Sequence, residues 1–145
     1  MRDDDVILHF NYEEIQALKA GARAYLGSAI VPPSAVLAPP EIRAHVEALL
    51  PRLTGDVSLC TLAEVRVIQS AVTAVVESLR VQMESMVLAT HAADEDAVSA
   101  YFDFAHALTV SHRIDELVGE MEAMIELVTG EAPTDEVALT FKFPG

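Results

Sequence analysis

The chain is poor in most of the residues from which reactive sites are built. It has one cysteine, Cys60, in 145 residues. No disulfide can form within it, and a lone cysteine fits a reducing compartment. It has 9 basic residues against 23 acidic ones, a net charge of −14. A surface so acidic repels phosphate backbones, which argues against direct nucleic-acid binding. No apolar run reaches the roughly 18 residues of a membrane-crossing helix. The N-terminal MRDDD is not followed by the apolar stretch of an export signal. There is no glycine-rich phosphate loop, no G-x-S-x-G and no H-E-x-x-H, and no internal repeat. Together these absences predict a soluble, cytoplasmic protein that binds neither nucleic acid nor membrane, and they imply no cofactor.

What is present is core material. Apolar residues make up 52% and charged residues 22%, enough to fold one ordinary domain. The acidity is uneven: Glu84 to Glu136 contains 13 acidic residues and one basic residue, Arg113. Such a stretch is first of all a solvated face. It also suits a basic partner protein.

Residues 6–10, VILHF, read as a short strand. Asn11 then caps a helix over 12–26, with Glu13 and Glu14 in the first turn, where the helix dipole favours anions. Residues 27–40 hold four prolines and predict an extended, apolar strap. A second helix is expected over 41–53, ended or kinked by Pro51. TGDVSLC, 54–60, reads as a connector. Thr61 and Glu64 form a capping box that opens a helix over 61–91. Its polar residues make one narrow stripe (Arg66, Ser70, Thr73, Glu77, Arg80, Glu84), so most of its circumference needs cover. A further helix is expected over 95–129. Its apolar side changes around Thr109–Ser111, which predicts either a kink there or different packing partners for its two halves. Residues 136–143 alternate, with Val137, Leu139, Phe141 and Phe143 on one side, and read as a half-buried strand. The N-terminal strand is its natural partner, within a chain or across a dimer.

The expected fold is therefore mainly α: a helical bundle on a long antiparallel hairpin of residues 61–129, with a small two-stranded sheet from the two chain ends. A homodimer or higher oligomer follows from the excess of apolar helix surface.

The stretch DFAHALTVSHRIDE, 103–116, is the densest in chemistry-bearing residues. His106 and His112 point about 120° apart on one helix and cannot share a metal. Asp103 and His106, three residues apart, do share a face. With Glu84 from the preceding helix they form a candidate metal site, as in di-metal bundles. Against this, Arg80 stands ready to pair with Asp103, and no E-x-x-H motif occurs. Ordinary ion pairs and a hydrogen-bonded histidine are the competing reading. Cys60 precedes a helix N-terminus but has no histidine beside it in sequence, and reads as buried or incidental. Met83, Met86, Met121 and Met124 read as core filling.

The leading expectation is thus a non-enzymatic oligomeric scaffold or adaptor for a partner protein. The alternatives are a metal-binding or metal-dependent helical bundle built on Asp103, His106 and Glu84, and a carrier of an apolar small molecule.

Overall fold

The computed structural model describes residues 6–27, 39–59, 61–90 and 95–130. Residues 28–38 of the expected strap, the expected strand at 136–143, Cys60 and His91 lie outside the described residues. The molecule is mainly helical. Strand β1 (Val6–Leu8) leads into α1 (Tyr12–Gly27). Helix α2 (Pro39–Leu49) runs into a 3-10 turn at Leu50–Arg52, where Pro51 ends the α-helical bonding. Strand β2 (Val57–Leu59) precedes the two long helices, α3 (Leu62–Thr90) and α4 (Glu95–Thr129).

The caps explain where the helices begin. The Asn11 side-chain oxygen accepts the Glu14 N–H at 2.8 Å, and Glu14 Oε1 accepts the Asn11 N–H at 3.0 Å. This is a reciprocal capping box built on asparagine. At α3, Thr61 Oγ1 accepts the Glu64 N–H at 3.3 Å. Gly130 ends α4 with φ 76°, a left-handed conformation that glycine adopts without strain.

Helices α3 and α4 form the central hairpin. Helix α1 packs against both of them, and α2 packs against α3. Leu18, Val72, Val75, Leu79, Ile114 and Ile125 are among the buried side chains at the centre. Each full burial of this kind contributes about 1.5–3 kcal/mol. Close approach of α1 to α3 depends on Gly21: a Cβ there would lie 2.9 Å from Leu79 Cδ1 and nearer still to Val75 Cγ1.

One expectation needs correction. The connector before Cys60 contains a strand: β1 pairs antiparallel with β2, Val6 opposite Leu59 and Leu8 opposite Val57. Three residues carry no readable alternation, and the pairing is made by β1 lying alongside. The sheet among the described residues therefore joins β1 to β2, and the expected strand at 136–143 lies outside those residues. At Thr109–Ser111 the helix α4 runs on uninterrupted, which leaves the second of the two expected alternatives, different packing of its two halves. Its two halves bury different residue types. Ala97, Ala100 and Ala107 are buried in the first half, and Val110, Ile114, Val118, Met121 and Ile125 in the second. The large apolar residues of the first half, Val98, Tyr101 and Phe102, are exposed.

Candidate functional site

Two features stand out: a polar clamp with a groove beside it, and the uncovered end of the hairpin. The clamp starts at the N-terminus of α1. The capping bond to Asn11 holds Glu14 in place, and its side chain is only 4% exposed. From α4, Arg113 Nη2 donates to Glu14 Oε2 at 2.7 Å and Nη1 to Oε1 at 3.3 Å. Nη1 also donates to the His9 carbonyl at 2.8 Å. Burial pushes the Glu14 carboxyl up, but the Arg113 guanidinium and the Asn11 N–H outweigh it and hold the group below its ordinary range. His106, when protonated, acts in the same sense. Both carboxylate oxygens are engaged within the protein. The cluster ties the end of β1, the start of α1 and the middle of α4 together.

Beside the clamp, a groove of about 670 Å³ runs between β1 and α4. Ile7, Phe10 and Leu117 give it apolar walls, and the exposed Glu116 and Glu120 make its rim acidic.

The candidate metal residues are placed as follows. Glu84 is exposed and accepts Arg80 Nη1 at 2.9 Å; Arg80 also bonds Glu77 at 2.6 Å. Arg80 thus pairs along its own helix, and these carboxylates hold it firmly protonated. Asp103 is half-buried; burial pushes its carboxyl up, and His106 partly offsets that. Among the described residues, no three His, Cys, Asp or Glu side chains gather closely enough to hold a metal ion. The other described histidines have ordinary surroundings. His9 Nδ1 lies 2.9 Å from Asp56, His45 Nδ1 lies 2.9 Å from Ser70 Oγ, and His112 is exposed.

Reading by sequence missed the clamp, although its signals were present. Asn11 and Glu14 have the spacing of a capping box. Arg113 is the lone cation of a long acidic stretch and lies about 20° from His106 on a helical wheel. A carboxylate fixed by a cap and a lone arginine on an inward face are natural partners.

The end of the hairpin lies beyond the reach of α1 and α2. Among the described residues, no α3 side chain past Leu79 and no α4 side chain before Phe104 belongs to the main core or packs on it. There Tyr101 and Phe102 are 55% and 56% exposed, their rings in edge contact with centroids 5.8 Å apart. Val98 and Val81 are exposed as well. Val98, Tyr101 and Phe102 occupy about a 100° sector of α4.

No protein-family model, curated protein or solved structure matches this chain. No helix among the described residues is long and apolar enough to cross a membrane.

Proposed function

We propose that the protein is a non-enzymatic, self-associating helical scaffold or adaptor that presents an acidic surface to a partner protein. The observation that carries this reading is the exposed Val98, Tyr101 and Phe102 on the half of the hairpin that the other described helices leave uncovered. Aromatic side chains anchor interfaces because they bury large areas with little loss of side-chain freedom. A specific dimer interface buries at least about 1,200 Å² in total, so these residues form its centre and neighbouring polar residues its rim. The second copy covers apolar surface that is exposed among the described residues of one chain. The net charge of −14 keeps such an assembly soluble and favours a basic partner at low salt.

The test is native mass spectrometry together with light scattering at micromolar concentration. The full chain is expected as a dimer or higher oligomer. The double variant Tyr101→Ser, Phe102→Ser is expected to shift to monomer with unchanged far-ultraviolet circular dichroism. A parent chain that is monomeric throughout this range overturns the self-association.

A further inference from the structure

Strand β1 has one strand partner among the described residues, β2, and its other edge faces α4 across the groove. Arg113 marks that edge by bonding the His9 carbonyl from α4. Ile7 lines the same groove two residues before His9, and backbone groups two residues apart on extended chain point to the same edge. An open edge is a template for another strand, and a two-stranded ribbon alone is marginal.

The same side of α4 carries an apolar track from the groove to the helix end. Leu117, Met124 and Val128 fall within about 40° of one another. Leu127 flanks them, 86% exposed, and Val128 is 65% exposed. Leu117 is half-buried against the core, while Met124, Leu127 and Val128 are exposed. The chain leaves α4 at Gly130, whose N–H bonds the Glu126 carbonyl at 2.8 Å, and fifteen residues follow, 131–145.

We propose that residues 136–143, EVALTFKF, of the same chain add to the open edge of β1 as a third strand and cover the track from Val128 to Leu117. The lengths agree. Eight extended residues span about 26 Å, and α4 from Thr129 back to Arg113 spans about 24 Å. The direction follows from the neighbours. Near Arg113 lies His9, at the end of β1, whereas β2 leads into α3, where Arg66 bonds Glu122 at 3.1 Å. Strand β1 therefore runs antiparallel to this part of α4, and a segment doubling back along α4 runs parallel to β1. The alternation supplies an apolar face for Leu117, Met124 and Val128, made of Val137, Leu139, Phe141 and Phe143. Lys142, the only cation among the fifteen residues, arrives at the groove rimmed by Glu116 and Glu120. Attachment to the same chain gives the segment a high effective concentration at that edge.

Amide hydrogen exchange followed by NMR tests this. In the full chain the Ile7 amide is expected to be protected. In a chain ending at Gly130 it exchanges at least about tenfold faster, while the Leu79 and Ile114 amides keep their protection and so report an intact fold. A synthetic peptide of residues 134–145, added in excess, restores the protection. Thr140→Pro in the full chain removes one strand donor and gives the same loss if the shortened chain does not fold. Equal Ile7 exchange in all forms overturns the proposal. So does protection of labelled shortened chain by unlabelled full chain at micromolar concentration, because the strand then comes from a second copy.

Discussion

Replacing Arg113 with alanine removes three hydrogen bonds: two to Glu14 and one to the His9 carbonyl. Glu14 stays buried, with the Asn11 N–H as its remaining donor. Breaking a fully buried ion pair from one side costs about 3–5 kcal/mol. Here the Arg113 side chain is 42% exposed, so water screens the pair, and the expected cost is reduced to about 2 kcal/mol at pH 7. With a urea m-value of about 2 kcal/mol per molar, the unfolding midpoint falls by about 1 M. The measurement is equilibrium urea unfolding at one fixed protein concentration, so that self-association does not enter the comparison.

The pH dependence separates this account from simple loss of packing. In the parent protein the Glu14 carboxyl sits below its ordinary range. Its contribution to stability is therefore present above the unfolded-state value and is lost as pH falls through the folded value. In Arg113→Ala the burial remains and the guanidinium is gone, so the carboxyl moves upward and protonation relieves the variant. The stability gap between parent and variant should narrow as pH falls from 7 towards 4. A double-mutant cycle with Glu14→Gln should return at least about 1 kcal/mol of coupling. A gap below about 0.5 kcal/mol at pH 7, or one that does not change with pH, would refute the clamp.

Four further outcomes are expected. Gly21→Ala should destabilise by about 1–2 kcal/mol in chemical denaturation, because overpacking against Val75 and Leu79 outweighs the better helix propensity of alanine. Ile114→Ala should cost about 3–4 kcal/mol and lower the thermal midpoint by well over 5 °C, since Ile114 is fully buried between the helices. Asp103→Asn should be neutral or stabilising at pH 7: burial raises the Asp103 carboxyl, so its ionised form opposes folding above the carboxylate range, and the benefit should shrink as pH falls through that range. Tyr25→Phe should leave stability unchanged or raise it by up to about 1 kcal/mol, because the buried Tyr25 hydroxyl has no partner among the described residues.

Local signals explain what the sequence makes legible. Asn11, Thr61, Pro51 and Gly130 each act on their own backbone, through a cap, a missing donor or a left-handed turn, and each marks a helix boundary. Pairings across the chain are another matter. Strand β2 exists because β1 lies beside it, and three residues, Val57–Leu59, carry too little pattern to announce that. The Glu14–Arg113 pair joins residues 99 positions apart; each half is visible alone, but their meeting depends on how α1 crosses α4. The candidate site at Asp103, His106 and Glu84 shows the converse. The spacing on one helix was real, yet Arg80 holds Glu84 along α3.

The hardest feature to read was which apolar residues of α4 turn inward. Hydrophobicity alone favours burying Val98, Tyr101 and Phe102. The helix instead buries Ala97, Ala100 and Ala107 and leaves the larger residues exposed. The described main core does not extend to the end of the hairpin, and the buried positions of α4 there are alanines. Further along, α1 supplies a third wall, and Val110, Ile114, Val118 and Ile125 fill the wider space. The apolar side of α4 therefore changes where the number of neighbouring helices changes, and the helix itself needs no kink. The apolar surface left over by that change is the reason to look for a second copy at Tyr101 and Phe102. At the opposite end of α4 the exposed Leu127 and Val128 border Gly130, where the described helix ends, and the proposed occupant there is the C-terminal segment. Among the described residues one helix thus carries two exposed apolar faces with different proposed occupants, and the two tests above separate them, because subunit count reads the first and Ile7 exchange reads the second.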